Sequence, residues 1–484
     1  MRSSRGRPPA GMRDQEAVDP GEARTDEEVM SVARTALVED ERRSQFSVVW
    51  FEMIVLVIVV GLILRQQALL ILGACLLVVV PVSWWWKQVA LRRVEYERYF
   101  DKWRAFPGET FEMTIRITNR KLLPLSWLEV SDEIPMALPL AEGVLAPTYA
   151  PQIGRLEAVF SLRWYERLQR RYRLRCPARG IYTLGPVYLK SGDIFTLFEQ
   201  QGHLPIRDRV VIYPQIWAME DLGLPAKEPF GERKTPYLLI KDPLRTRGIR
   251  DYHPEDDLRY VHWKATAHRG ELQVRVLEPT ATLNLVILLN VNTFEHHWQG
   301  VIPELFERTI SVAGSLATWA VGQKYKVGLV ANGSWPLSDQ PVRVPPGRSP
   351  SQLTAILESL AAVTSFATMS IEELLRRESP RLPWGATLIV VTAIVTEPLA
   401  ASILRLHDAG RQIALVSLAD EPPPRIEGVP TYHLSESTPI FQQRESGIQN
   451  ARRALQAAGL GAIVDGGTPH APTRDPIQGE VAGE

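Results

Sequence analysis

Residues 46–86 read FSVVWFEMIVLVIVVGLILRQQALLILGACLLVVVPVSWWW. Phe46 to Leu64 carries a single charge, Glu52, and after Arg65-Gln66-Gln67 the run Ala68 to Trp86 carries none. At about 1.5 Å per residue each run makes a helix of roughly 28 Å, close to the hydrocarbon thickness of a bilayer. Trp84, Trp85 and Trp86 followed by Lys87 have the composition of an interfacial belt with a basic anchor, and Trp50 suits the same level on the first helix. The expectation is a transmembrane helical hairpin over 46–87. Glu52 lies near one end of its helix, where a carboxylate reaches the interface by snorkelling.

Basic residues set the expected orientation. Arg34, Arg42 and Arg43 precede the first run, Lys87, Arg92, Arg93 and Arg98 follow the second, and Arg65 alone lies in the connecting turn. The positive-inside rule then puts both flanks in the cytoplasm, so the protein is expected in the cell (inner) membrane with its soluble parts cytosolic. Residues 1–45 are polar and rich in charge, Pro and Gly, which predicts a flexible cytoplasmic tail. The 484 residues hold 55 basic and 55 acidic side chains. Zero net charge excludes a protein whose main work is coating nucleic acid. Two cysteines, Cys75 and Cys176, exclude a disulfide scaffold or a four-thiolate zinc site.

Beyond the hairpin the pattern changes to period two. In Glu109–Asn119, Phe111, Met113, Ile115 and Ile117 alternate with polar residues, as in a half-buried strand. Leu156–Trp164, Leu168–Cys176 and Ile181–Leu189, the last broken at Gly185-Pro186, give further strands. An antiparallel, sandwich-like β module is therefore expected over 95–215, with Cys176 as a core thiol. Pro225, Pro229, Pro236 and Pro243 mark 216–247 as a linker.

The densest motif is Arg247–Arg275, RGIRDYHPEDDLRYVHWKATAHRGELQVR. Pro254 suits a first helical turn, and Glu255, Asp256 and Asp257 suit the positive end of the helix dipole. Lys264, His268 and Arg269 suit the other end, with Gly270 as a left-handed cap. Leu258, Val261 and Ala265 would form the apolar face. Three functional readings remain open: a metal site, for which no HxxxH or CxxC spacing is present; an acid–base site using His253, His262 and Asp256–Asp257; and a buried network of Arg–carboxylate pairs at an interface.

The register Arg250, Tyr252, Asp256, Asp257, Arg259, His262, Trp263, Lys264 resembles the bacterial family called domain of unknown function 58. So does the stretch Arg179-Gly180, Leu184-Gly185-Pro186 and Gly192-Asp193-Ile194-Phe195 with Phe198. His268 departs from the family, whose members more often carry Arg there. The resemblance implies a von Willebrand factor A-like domain and partnership with a MoxR-type AAA+ ATPase in assembling or remodelling protein complexes.

Leu283–Val291 is a continuous apolar run of the kind buried on both faces of a sheet. Helical stretches near Pro303–Tyr325, 350–378 and Leu399–Ala409 alternate with apolar runs at Val327–Ala331, Thr387–Val395 and Ile413–Leu418. This predicts a doubly wound, mostly parallel sheet. The expected fold class is thus multi-domain α+β, with the signature and α/β domain over 248–465 and a frayed tail over 466–484. The family's metal site calls for acids after two strands, and here Asn290 with Asn292 and Ala393 stand at those places. Neutral groups there predict severely weakened Mg²⁺ binding. Adjacent His296 and His297 point to different faces and suit a loop. With no Walker loop, dinucleotide fingerprint or nucleophile elbow, no cofactor is implied. The leading expectation is a membrane-anchored, cytosol-facing, non-catalytic interaction protein with the bilayer and an ATPase as partners. Its rivals are a metal-dependent ligand-binding module and an enzyme built on His253, His262 and Asp256.

Overall fold

The computed structural model describes residues 46–224, 241–253, 258–279, 284–295, 299–336, 338, 340–383, 385–442 and 447–460. Two helices come first, α1 (Phe46–Leu64) and α2 (Gln67–Ala90), joined across Arg65 with φ of 49°. They touch where Gly73 lies against Ile58, a spot with no room for a Cβ. Of the two, α2 is long and apolar enough to cross a membrane. Leu56, Leu62, Ile63, Leu72, Val78, Trp84 and Trp85 are exposed along the pair. The helix runs three residues past Lys87, and Lys121 donates to the carbonyl of Ala90, its last residue, and to that of Arg92 just beyond, satisfying groups the helix end leaves open.

A β module follows at once. Its strands are β1 (Val94–Phe100), β2 (Arg104–Ala105), β3 (Thr110–Asn119), β4 (Leu125–Pro135), β5 (Ala146–Pro147), β6 (Ile153–Leu162), β7 (Arg167–Arg175), β8 (Gly180–Leu184), β9 (Val187–Gly192), β10 (Glu199–Leu204) and β11 (Asp208–Ile212). They form sheets of order β1-β3-β7, β10-β9-β4-β6-β5 and β2-β11-β8, antiparallel except for the short β2–β11 pair. The alternation in β3 is realised in full: Phe111, Met113, Ile115 and Ile117 join a core with Leu128, Val130, Ile134, Leu174 and Cys176. Arg98, expected among the charges flanking the membrane, is instead inside this core. In β1 it shares the inward register of Val94, Tyr96 and Phe100. Its Nη2 bonds Asp132 at 2.7 Å and its Nη1 bonds Asp208 at 2.9 Å, while Tyr96 donates to Asp132 at 2.8 Å. Burial alone would lower the Arg98 pKa; the surrounding acidic groups more than reverse this and keep it charged.

The C-terminal part is a six-stranded sheet flanked by helices. Its strands are β14 (Asn284–Leu289), β15 (Lys326–Ser334), β16 (Pro341–Gly347), β17 (Thr387–Thr392), β18 (Gln412–Ser417) and β19 (Thr431–His433), in the order β16-β15-β14-β17-β18-β19. All pairs are parallel except β15–β16, and the proline-rich β16 takes the edge, where missing N–H donors cost least. Successive residues of β14 enter opposite cores. Leu285, Ile287 and Leu289 pack with residues of α4 (Pro303–Gly322), α5 (Gln352–Ala362) and α9 (Gly447–Ala457). Val286 and Leu288 pack with α6 (Ile371–Glu378) and α7 (Glu397–Asp408). The doubly wound reading holds at this level. A short helix, α8 (Pro439–Gln442), completes this part.

Part of the expected linker is not a linker. Ile216, Trp217, Ala218, Met219, Leu222 and Leu224 are buried in the core under α4, and the backbone N–H of Trp217 donates to Ser315 at 2.9 Å. Residues 241–247 belong to a strand, β12 (Lys241–Asp251). Prolines signalled irregular backbone here, and irregular backbone can still be packed. Residues 1–45, 225–240 and the expected tail 466–484 lie outside the described residues.

Candidate functional site

The signature residues sit on a two-stranded arm. Strand β12 pairs antiparallel with β13 (Gln273–Pro279), and Val261 bridges to Val274 to close a small buried contact. Between them lie a 3-10 turn at Leu258–Tyr260 and the helix α3 (Trp263–Arg269). The predicted helix start at Pro254 is a correction: residues 254–257, with Asp256 and Asp257, are outside the described residues, and the α-helix begins at Trp263. His262 is its N-cap, its Nδ1 accepting from the N–H of Ala265 at 3.0 Å, a bond that Leu258 or Val261 could not make. Gly270 closes the helix with φ of 77°, as its residue type predicts.

Among the described residues the arm's polar groups are tied to their own neighbours. Arg250 donates to the carbonyl of Asp251 at 3.0 Å, Gln273 donates to the Asp251 carboxylate at 2.7 Å, and Arg269 lies 3.8 Å from that carboxylate. Both members of this last pair are about 70% exposed, so among the described residues this pair is not a buried one; Asp256 and Asp257, on which the expected Arg–carboxylate network falls, lie outside the described residues. Tyr252 is half-buried, its N–H bonded to Leu272, and the side chain of Arg259 falls outside the description. Trp263 is 69% exposed and Lys264 is exposed beside it, as are Ile249, Leu258 and Leu272. A surface cleft of about 330 Å³ opens here, lined by Ile249, His262, Lys264, Ala265, His268, Arg269 and Gln273. The lone pair of His262 Nδ1 is engaged by the cap, which removes that nitrogen as a general base.

The second candidate is the carboxyl edge of the large sheet, where strand order reverses between β14 and β17. Asn290 donates to the Thr392 hydroxyl at 3.0 Å and accepts from Asn332 at 2.9 Å and from the N–H of Asn292 at 3.2 Å. Asn332 also accepts from the N–H of Val291 at 2.8 Å, and Thr392 donates to the carbonyl of Ile394 at 2.6 Å. Ala393 is buried next to them. The edge is a closed circuit of neutral amides and a hydroxyl, with the oxygen of Asn290 already accepting twice. Asn332 was not singled out in the sequence; it follows Ala331 as Asn290 follows Leu289, and Leu289 and Ala331 are partners in the β14–β15 pairing. Among the described residues no three His, Cys, Asp or Glu side chains converge to hold a metal. His296 and His297 lie outside them.

A family described as "Protein of unknown function DUF58" matches residues 248–458, which takes in the arm except the first part of β12 and all six strands of the large sheet with their helices. "Uncharacterized protein YeaD" of Bacillus subtilis is 22% identical over 235 residues, 47% of this chain and 52% of that protein, so the chain spans about half the length of the curated relative it matches. Solved structures match only in part. The CARDB domain of the PF1109 protein of Pyrococcus furiosus is similar over 25% of this chain and 91% of its own, at 10% identity and a TM-score of 0.17. Spo0M, a sporulation control protein from Bacillus subtilis, covers 27% of this chain and 54% of its own at 13% identity and a TM-score of 0.16. Scores this low carry no argument about fold or function.

Proposed function

We propose that the chain is a membrane-anchored, non-catalytic interaction protein that acts with a MoxR-type AAA+ ATPase in assembling or remodelling protein complexes, and that the β12–β13 arm is where the ATPase docks. The observation that carries this reading is the surface of the arm. Trp263, Leu258, Ile249 and Leu272 are exposed beside Arg250, Lys264 and Arg269, a mix of aromatic, aliphatic and guanidinium groups typical of interface centres. The partner's face is then apolar with acidic neighbours.

Helices α1 and α2 form the membrane hairpin in this reading. With Arg98 buried, six basic residues still flank the two apolar runs against Arg65 alone in the turn, which supports a cytosolic arm and a place in the inner membrane. The strand order 3-2-1-4-5-6, with the third strand antiparallel, supports a von Willebrand A-like domain. The amide circuit at Asn290 speaks against the metal-dependent version of that module, and the capping role of His262 against an enzyme built on it. Affinity purification of the full chain from detergent extracts is expected to recover an AAA+ ATPase, and Trp263→Ala with Lys264→Glu to lose it. Recovery of no ATPase by the unaltered chain overturns the proposal.

A further inference from the structure

The turn between β9 and β10, Asp193-Ile194-Phe195-Thr196-Leu197-Phe198, is built to present two apolar side chains. Asp193 is buried, and its two carboxylate oxygens accept from the N–H groups of Phe195 at 2.9 Å and Phe198 at 2.7 Å. Trp127 donates to its carbonyl at 3.3 Å. A side chain at Gly192 would run into the Phe198 carbonyl. This clamp folds Phe198 inward and turns Ile194 and Phe195 outward, where they are 57% and 58% exposed. A soluble turn gains nothing by holding an Ile and a Phe in water on a rigid frame.

The inward residue identifies the medium. Phe198 is buried against Ile54 of α1 and Val80 of α2, with Ile58, Leu76 and Leu197 packed around them. Val80 is five residues before Trp85, so Phe198 meets α2 about 8 Å beyond the tryptophan belt, on the side of the apolar core. The other end gives the same answer. From Val80 back to Gln67 only about 20 Å of helix stands clear of the turn, and from Ile54 to Leu64 about 15 Å. The α2 length crosses a hydrocarbon layer of about 30 Å with the turn about 10 Å inside it, and the shorter α1 length draws the turn inward in the same sense.

We infer that the β9–β10 turn is a membrane wedge: Ile194 and Phe195 are immersed in the acyl region of the leaflet beside the helix pair, seating the β module on the bilayer. This rests on the membrane reading of α1 and α2. A depth of about 5–10 Å is that of an interfacial insertion, and three of the turn's N–H groups, those of Phe195, Thr196 and Phe198, are already held by Asp193 and need nothing from lipid. Lys190 and Glu199, paired at 2.8 Å across the turn's base, are partly exposed, as befits headgroup level.

The test is site-directed spin labelling of the full chain in phosphatidylcholine–phosphatidylglycerol vesicles, in a Cys75→Ser background. Labels go at Phe195→Cys, at Leu62→Cys near the far end of α1, and at Tyr149→Cys next to β5, on the opposite sheet edge from the turn. Relaxation by oxygen is compared with relaxation by a water-soluble nickel chelate. The expected result is that positions 62 and 195 both show an oxygen-to-nickel ratio several-fold above position 149. A label at 195 that matches 149 while 62 stays protected overturns the wedge and leaves the membrane hairpin standing. Nickel access at 62 overturns both.

Discussion

Two regions of this molecule are crowded with charge and handle it in opposite ways. Around Arg98 a guanidinium, two carboxylates and a phenol are shut inside the β module, the Arg98 and Asp132 side chains wholly out of solvent. On the arm, Arg250, Asp251, Lys264, His268, Arg269 and Glu271 are all exposed. The sequence around Arg98, VEYERYF, reads only as part of a basic flank to the helices, whereas the arm's sequence is the densest motif in the chain. Two properties easily confused come apart here: concentration of unusual residues does not by itself bring burial, while register within an alternating strand decides what is buried. A buried ion pair is a structural commitment, whereas an exposed pair such as Arg269–Asp251 adds little to stability.

The largest consequence falls on the buried side. Arg98→Ala leaves Asp132 and Asp208 without their shared cation in a core where Leu128, Val130 and Leu174 exclude water. The expected loss is about 3–5 kcal/mol, read as a lowered urea midpoint of the detergent-solubilised chain. A shift no larger than that of an exposed arginine such as Arg269→Ala would erase the distinction between the regions.

How much of this was legible in the sequence follows the same division. Period-two alternation placed Phe111, Met113, Ile115 and Ile117 inward, and the unbroken apolar runs marked β14, β15, β17 and β18. Both signals come from burial, which is what organises the fold. Alternation in β1 would also have turned Arg98 inward, but its nearness to the helices made it look like a membrane anchor. The strand β16 was not singled out, and it carries Pro341, Pro345 and Pro346, which an edge position tolerates. At the arm, Gly270 was readable as a cap, while the helix start was not, since charge near a first turn is weaker evidence than a side chain able to accept the open N–H groups, as His262 does. The pairing of Asn290 with Asn332 depends on the register of β14 against β15, which joins residues distant in sequence and is set only in the folded sheet.

Arg179 stands between the two extremes. Its side chain is almost wholly buried, with Nε on Glu307 at 2.7 Å and Nη1 on the carbonyls of Leu360 and Val363, the latter at 3.2 Å, so it ties the β module to α4 and the end of α5. Arg179→Ala is expected to cost about 1–3 kcal/mol, less than Arg98→Ala because Glu307 is half exposed and can turn to water. Scanning calorimetry should show it, with the transitions of the two parts moving apart.

A pH titration sharpens the contrast further. Burial first, and then Glu109, push the Cys176 thiol up from 9.0 to about 12. Between those values the unfolded chain has lost this proton and the folded one keeps it, so stability is full below pH 9 and falls as pH rises towards 12. The slope is about 1.4 kcal/mol per pH unit from this group. Urea midpoints measured from pH 8 to 10.5 should fall more steeply in the unaltered chain than in Cys176→Ala. At pH 8 the native thiol should also resist iodoacetamide, since the thiolate is the reacting form. Equal slopes would mean the thiol is reached by water.

The smallest expected effect on stability is the one that decides what the arm is for. Trp263→Ala and Lys264→Glu change side chains that lie mostly in solvent, and α3 keeps both its caps, His262 and Gly270, in either variant. Each should move the unfolding free energy by no more than about 0.5 kcal/mol. A loss above about 1 kcal/mol would show Trp263 packed against part of the chain in solution, and the arm would then be a second structural element like the Arg98 cluster. Near-neutral stability, joined to lost recovery of the ATPase, would separate the two regions by function as well as by burial. Indifference of the fold is informative here because it lets a loss of ATPase recovery in the same variant be read as a lost contact and not as lost folding.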